Sequence, residues 1–164
     1  INYLPHCNLI NTIFKYKIKA NIVVTCSLSS ITGLPFQQAY SASKAATQYF
    51  YESISYELKE HFCRVFLVRL GSVDTGFNSG GNIQPKNDNK SIEQSYKNSI
   101  KKINSKRQMN PETVAEYFYK LARKNVNYGT YIYDFGINSF LFSSIKRFFG
   151  ARIAYKLSEK FLLY

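Results

Sequence analysis

Residues 21–44 read NIVVTCSLSSITGLPFQQAYSASK, and the architecture of the chain can be worked out from this stretch. Its first six residues are mostly β-branched and show no polar alternation, which is typical of a buried parallel strand. Residues 27–38 follow as a loop, in which Gly33 and Pro35 interrupt regular structure. A helix begins near Tyr40. The order strand, loop, helix predicts a unit of a parallel α/β sheet.

The rest of the chain continues this alternation. Residues 64–70 (RVFLVRL) predict a second buried strand, and residues 130–133 predict a third. Residues 71–89 are polar and glycine-rich, which is typical of a long loop that acts as a lid. Helices are predicted over residues 2–18, 40–61, 91–106 and 110–124, the last with Asn110 as N-cap, and from Ser139 onward with a break near Gly150. The pattern predicts parallel pairing with right-handed crossovers.

Tyr40 and Lys44 lie four residues apart on the predicted helix, so their side chains share one face. A phenol has an ordinary pKa near 10 and is a poor base at neutral pH. A nearby ammonium favours the phenolate, so we expect Lys44 to lower the pKa of Tyr40 toward the range of a general acid/base. Ser27 ends the first strand, where its hydroxyl can face the crevice at the carboxyl end of the sheet and bind a developing oxyanion.

This segment resembles the active-site region of the short-chain dehydrogenase/reductase family. The resemblance rests on the Y-x-x-x-K pair of Tyr40 and Lys44, on Ser27 thirteen residues before the tyrosine, and on the apolar strand that precedes the serine. It implies a Rossmann-type fold and hydride transfer with NAD or NADP, with no preference between the two. It also implies that Tyr40 handles the proton and that Lys44 binds the nicotinamide ribose.

Two further elements resemble the family. Residues 70–75 (LGSVDT) are similar to its P-G-x-V-x-T element, although leucine replaces the usual proline. The resemblance implies that Gly71, Val73 and Thr75 bind the cofactor. It also implies that Asn2 is the catalytic asparagine that anchors a proton-relay water, with Asn8 and Asn11 as competitors.

The start of the family pattern does not occur in this chain. We find no glycine-rich loop of the T-G-x-x-x-G-x-G type, which seats the pyrophosphate at a helix N-terminus. The predicted fold class is therefore α/β, a partial Rossmann-type parallel sheet with flanking helices and without the N-terminal dinucleotide-binding half. Residues 1–135 are predicted to form the catalytic part, and residues 136–164 to form basic amphipathic C-terminal helices that pack on it.

Composition narrows the function classes. The formal net charge is +12, from 22 Lys+Arg against 10 Asp+Glu, and most of the excess lies after residue 84. No DNA- or RNA-reading motif accompanies it, so we expect no nucleic-acid partner. Three dispersed cysteines and two isolated histidines predict reduced thiols, no metal site and a cytoplasmic protein. The basic amphipathic tail suits either packing on the body or peripheral contact with an anionic membrane.

The predicted helix over residues 40–61 carries two sets of large or apolar residues. One set recurs every four residues and is predicted to pack on the sheet: Ala42, Ala46, Phe50, Ile54 and Leu58. The second set, predicted to meet a partner, is Tyr49, Tyr51 and Tyr56. Because helices with apolar groups on two sides are usually covered on both, we expect a homodimer when the protein is complete.

The resulting hypothesis is an NAD(P)-dependent oxidoreductase that acts on a small lipophilic carbonyl or secondary alcohol. A lipid, a steroid, a retinoid and a long-chain ketone all suit the aromatic-rich region from Phe135 onward. The first alternative is a non-catalytic remnant of the same fold that acts as an interaction or membrane-peripheral protein. The second is a basic membrane- or nucleic-acid-binding module.

Overall fold

The part of the chain that is described comprises residues 2–75, 90–105 and 108–163 of a computed structural model, with no side-chain detail for residues 103–105 and 161–163. Strands and helices alternate along it, as the sequence predicted. None of the helices in these ranges is both long enough and apolar enough to span a bilayer.

The described strands form one parallel sheet. The strands are β1 (Asn21–Ser27), β2 (Arg64–Leu70) and β3 (Gly129–Phe135), and they pair in the order β1-β2-β3. The prediction of three parallel strands is therefore confirmed. Ser27 pairs in register with Leu70, and Leu70 with Phe135, so the carboxyl ends of the strands lie at one edge of the sheet.

Helices surround the sheet and connect its strands. They are α1 (Leu4–Lys15), α2 (Gln38–Ser53), α3 (Ser55–Glu60), α4 (Lys90–Ser105), α5 (Pro111–Ala122), α6 (Ile137–Phe149) and α7 (Ala151–Leu163). Asn110 caps α5 as predicted, because its side chain accepts a hydrogen bond from the amide of Glu112 at 2.8 Å. A 3-10 turn, Leu28–Ser30, follows β1.

Two apolar cores lie on opposite faces of the sheet, because successive side chains of a strand point to opposite sides. Val65 and Leu67 of β2 belong to a first core that α1, α2 and α3 cover. Phe66 and Val68 belong to a second core that α5 covers. All four side chains are fully buried, so β2 is the central strand of the described sheet, as its unbroken apolar run indicated.

The predicted single helix over residues 40–61 is wrong in two respects. The helix is interrupted at Ile54, which ends α2 and precedes α3, where two serines flank a β-branched residue and helix propensity is low. Its buried face also differs from the predicted stripe. Tyr51, assigned from sequence to an outward set, is fully buried in the first core, whereas Ala42 of the aliphatic stripe is exposed.

Polar contacts account for the rotated face of α2. The Thr47 hydroxyl donates to the Asn2 carbonyl at 2.7 Å, and the Tyr51 hydroxyl lies 3.1 Å from Nδ1 of His6. Both bonds attach α2 to the start of α1. The periodicity of apolar residues does not reveal hydrogen bonds between distant residues. For this reason the buried face of α2 was predicted wrongly.

Candidate active site

Ser27 occupies the last position of β1, at the edge where the strands end. Its Oγ accepts a hydrogen bond from the amide of Ser29 at 3.2 Å and thereby caps the 3-10 turn. The turn redirects the chain away from the sheet and leads to α2. The serine hydroxyl therefore lies at the carboxyl end of a parallel strand, where α/β proteins place their binding crevices.

Tyr40 lies in the first turn of α2 and is brought to Ser27. The two side chains are hydrogen-bonded, and this bond lowers the pKa of Tyr40. Burial is the larger influence and raises the pKa of Tyr40 above its ordinary value, so the net shift is upward. At neutral pH the phenol is therefore protonated and ready to donate a proton.

Lys44 lies one turn farther along α2. Its Nζ donates to the carbonyl oxygen of Thr25 at 2.9 Å and is 5.9 Å from the centroid of the Tyr40 ring. Burial lowers the pKa of Lys44. The expectation that Lys44 lowers the pKa of Tyr40 is not met in this structure, because the ammonium is directed at Thr25 and the burial of Tyr40 dominates.

A chain of buried polar groups supports the turn that carries Ser27. The Ser30 hydroxyl lies 2.7 Å from the Ser27 carbonyl oxygen and 2.8 Å from Oε1 of Gln48. Nε2 of Gln48 in turn donates to Glu52 at 2.7 Å. Sequence reasoning missed Gln48 and Glu52, although their spacing of four on the same helix as Lys44 was a usable signal.

Asn2 lies beside α2. Its Nδ2 donates to Oγ of Ser43, the residue before Lys44, at 3.2 Å. His6 is another neighbour of the site, and the sequence did not indicate it. Burial lowers the pKa of His6, and the positive charge of Lys44 lowers it further. The catalytic role of Asn2 stays a prediction.

The predicted cofactor-binding segment begins directly after β2. The amide of Gly71 donates to the carbonyl of Phe135 at 3.1 Å, and Val73 forms a parallel bridge with Met109. These bonds extend the chain away from the sheet and leave Thr75 exposed. The segment therefore starts at the same sheet edge as Ser27. Most of the predicted loop over residues 71–89 lies outside the described residues.

Within the described ranges, no cluster of three or more histidine, cysteine, aspartate or glutamate side chains is arranged to hold a metal ion. Cys7, Cys26 and Cys63 are free thiols. The site is therefore composed of hydroxyl, ammonium and amide groups, which suit proton transfer and hydrogen bonding.

Comparison with known proteins defines the family. A model of the short chain dehydrogenase family matches residues 1–86, which is more than half of the chain and includes β1, α2 and β2. The chain therefore belongs to the short-chain dehydrogenase family. The resemblance of the Ser27, Tyr40 and Lys44 segment is confirmed at the level of the family.

Two curated relatives are similar in sequence. One is 3-ketodihydrosphingosine reductase of Bacteroides thetaiotaomicron, 29% identical over 136 residues, which are 79% of this chain and 51% of the relative. The other is NADPH-dependent 1-acyldihydroxyacetone phosphate reductase of Saccharomyces cerevisiae, 35% identical over 77 residues, which are 46% of this chain and 26% of the relative. The chain thus spans about half the length of the first relative and about a quarter of the second.

Solved structures share the fold. A short chain dehydrogenase from Burkholderia cenocepacia in complex with NADP superimposes with a TM-score of 0.65 and 17% identity, over 100% of this chain and 56% of that one. A short chain dehydrogenase from Mycobacterium paratuberculosis bound to NAD gives a TM-score of 0.54 and 21% identity, over 77% of this chain and 48% of the other. At such identities the likeness establishes the fold, a parallel Rossmann-like sheet flanked by helices.

Proposed function

We propose that this chain carries the catalytic residues of an NAD(P)-dependent carbonyl reductase. The observation that carries the proposal is the hydrogen bond between Ser27 and Tyr40 at the strand ends, with Lys44 one turn away on the same helix. Family membership supports it, whereas nothing favours the non-catalytic remnant or the nucleic-acid-binding module over an enzyme.

Tyr40 acts as the general acid. When bound, a reduced nicotinamide would supply a hydride to the carbonyl carbon, and the Tyr40 phenol would donate its proton to the carbonyl oxygen. The phenol is protonated at neutral pH, and burial raises the pKa of Tyr40 further, so it is in the form that can donate a proton to a carbonyl oxygen. Ser27 hydrogen-bonds the same substrate oxygen as negative charge develops there. The ammonium of Lys44 has two N–H groups beyond the one that donates to Thr25, and these can bind a cofactor beside Tyr40.

The cofactor-facing residues are Tyr40, Lys44, Gly71, Val73 and Thr75. The chemistry of these groups fits a nicotinamide nucleoside. The free N–H groups of Lys44 suit the ribose hydroxyls, and the exposed side chain of Thr75 suits the carboxamide. Asn2 completes the catalytic set through its contact with Ser43 next to Lys44. NAD and NADP both remain compatible with these groups.

The substrate class is a ketone on a long-chain lipid. Both curated relatives are named as reductases of ketones that carry a long aliphatic or acyl chain. In this chain, α6 begins directly after the sheet edge and presents exposed apolar side chains at Ile137, Phe140 and Leu141. An aliphatic tail that leaves the site along α6 would bury this apolar surface.

We also propose an assembly and a location from the exposed side chains. Tyr49 and Tyr56 are 61% and 70% exposed on α2 and α3, which suits the homodimer contact expected from sequence. The exposed apolar side chains of the basic C-terminal helices suit peripheral contact with an anionic membrane of the cytoplasm. We propose no nucleic-acid partner.

Isotope transfer tests the reaction type directly. The full-length protein is incubated with 3-ketodihydrosphingosine and a reduced cofactor, NADH or NADPH, that carries deuterium at nicotinamide C4. We expect one deuterium on the new carbinol carbon, detected by mass spectrometry. Cofactor labelled on the opposite face of C4 is the control, because one face alone transfers its label. Absence of a labelled alcohol with lipid, steroid and retinoid ketones alike would overturn the proposed reaction.

A further inference from the structure

A polar pocket lies beside the candidate active site. It has a volume of about 210 Å³ and is formed by α2, by the 3-10 turn after Ser27, by the end of β2 and by α6. This is smaller than the roughly 300–1,000 Å³ of pockets that hold a whole drug-sized ligand. The pocket therefore has room for one compact polar group and not for an entire lipid substrate.

Positive charge exceeds negative charge in this pocket. Arg69, Lys146 and Arg147 line it. Asp134 forms two hydrogen bonds with Arg69, at 2.8 and 2.7 Å, and balances that cation. Lys146 donates to the neutral carbonyl of Ile31 at 2.6 Å. Arg147 is exposed and makes no side-chain hydrogen bond or ion pair with the part of the chain that the structure describes. Two cationic charges are therefore left uncompensated by the groups that line the pocket.

The acceptors in the pocket have donors within hydrogen-bond distance. Oε1 of Gln48 lies 2.8 Å from the Ser30 hydroxyl, which can give its one proton either to Gln48 or to the Ser27 carbonyl, and the Ile31 carbonyl accepts from Lys146. The orientation of the Gln48 amide is determined by Glu52, because only Nε2 can donate to that carboxylate. Glu52 itself does not line the pocket.

The donors, in contrast, are mostly free. Ser143 accepts from Arg69 at 2.9 Å through its oxygen, so its own O–H can donate. Lys146 has two further N–H groups, Gln48 has one and the guanidinium of Arg147 has five. A ligand of this pocket must therefore bring negative charge and several acceptor oxygens.

We infer that the pocket between α2 and α6 binds the phosphoryl group of a phosphate monoester. A phosphoryl group presents three acceptor oxygens in a compact tetrahedron, and an arginine can bind two of them side by side. The donors come from α2 and from α6, on different sides of the pocket. The site is distinct from the proposed proton-transfer residues, and phosphate binding there does not require turnover.

The pocket adjoins the catalytic serine through one residue. Ser30 lines the pocket and contacts the carbonyl of Ser27. A bound phosphoryl group would therefore lie against the turn that positions the Ser27 hydroxyl. Two sources can supply this group, a soluble metabolite and a phospholipid headgroup, and both offer the same chemistry to Arg147 and Lys146.

Binding of glycerol 3-phosphate to the full-length protein tests the inference. Calorimetric titrations are made with nicotinamide cofactor present, so that the cofactor site is filled. We expect saturable binding of glycerol 3-phosphate and none of glycerol. Arg147→Gln should weaken binding about tenfold, since it removes a charge-assisted contact. Arg152→Gln is the matched control, because Arg152 is an exposed cation on α7 that does not line the pocket, and it should leave affinity unchanged.

Vesicles distinguish the two sources of the group. Phosphatidylcholine vesicles with and without phosphatidic acid are compared by sedimentation. Binding that requires phosphatidic acid and is lost in Arg147→Gln supports the site with a lipid headgroup as its ligand. Binding of glycerol 3-phosphate alone supports it with a soluble ligand. Failure of both probes to bind, or equal weakening by Arg147→Gln and Arg152→Gln, would overturn the inference. The deuterium-transfer assay reports on the reaction separately.

Discussion

The face of the sheet covered by α1, α2 and α3 and the C-terminal helix pair α6–α7 are stabilised in different ways. Tyr51 and Leu58 on the first face are completely buried, and polar groups such as Gln48 are hydrogen-bonded inside the protein. On the helix pair, Ile137 is 86% exposed and Phe148 is 76% exposed. The proposed proton chemistry therefore lies on a closely packed scaffold, whereas the helix pair offers a surface that can contact ligands.

The helix pair is attached to the body by polar bonds from α6 as well as by buried apolar side chains such as Phe142 and Ala154. Ser139 donates to the carbonyl of Arg69 at 2.7 Å, Arg69 donates to Ser143, and Lys146 donates to the carbonyl of Ile31. These bonds lie close to the strand ends and the turn after Ser27. The helix pair therefore adds specific hydrogen bonds beside the site while it leaves other apolar side chains exposed.

Truncation of apolar side chains is expected to give the largest difference between the two regions. Leu58→Ala removes a fully buried side chain from the first core and should lower the free energy of unfolding by about 2–5 kcal/mol. Phe148→Ala removes an exposed side chain and should change it by less than about 0.5 kcal/mol. Urea unfolding of the full-length protein measures both, and equal losses would contradict the comparison.

The ion pair between Arg69 of β2 and Asp134 of β3 lies where the sheet meets α6, since Arg69 also donates to Ser143. Both side chains are 14% exposed and lie 2.7 Å apart, so Arg69→Met leaves a largely buried carboxylate without its partner. We expect a loss of about 3 kcal/mol in the free energy of unfolding. Lys97→Met is the control, because its pair with Glu93 is more exposed and should contribute less than about 1 kcal/mol. Comparable losses in the two variants would contradict the expectation that the Arg69–Asp134 pair stabilises the fold more than the exposed pair does.

The loss of stability at alkaline pH tests how far Tyr51 is shielded from water in the first core. Burial raises the pKa of Tyr51 to about 12, whereas the unfolded chain ionises this phenol near 10. The stabilising contribution is therefore fully present below pH 10 and is lost as the pH rises from 10 toward 12. Unfolding measured at pH 8.5 and pH 11 should show a loss of about 1.3 kcal/mol from this group, which Tyr51→Phe removes. The exposed Tyr56 provides a control, since Tyr56→Phe should leave the loss unchanged.

The sequence predicted what depends on local pattern. The bounds of β2, the cap at Asn110 and the parallel order of the strands all followed from apolar runs, capping chemistry and alternation. The position of Ser27 at the end of a strand was predictable in the same way, as was the position of Tyr40 and Lys44 one turn apart on a helix.

Contacts between distant residues were not predictable in the same way. The burial of Tyr51 depends on bonds from α2 to the start of α1, more than forty residues earlier. The direction of the pKa shift of Tyr40 depends on burial in the folded chain, which a spacing of four residues does not encode. The pocket between α2 and α6 combines side chains separated by about a hundred residues in the sequence.

The most direct test of the account compares turnover and cofactor affinity in Tyr40→Phe. The variant keeps the aromatic ring on α2 and removes only the hydroxyl that hydrogen-bonds Ser27, and Tyr16→Phe at the exposed C-terminal end of α1 is its control. We expect Tyr40→Phe to reduce turnover at least about a thousandfold while the dissociation constant for the nicotinamide cofactor changes less than about threefold, and Tyr16→Phe to behave as wild type. Turnover of Tyr40→Phe within tenfold of wild type would contradict the assignment of Tyr40 as the general acid.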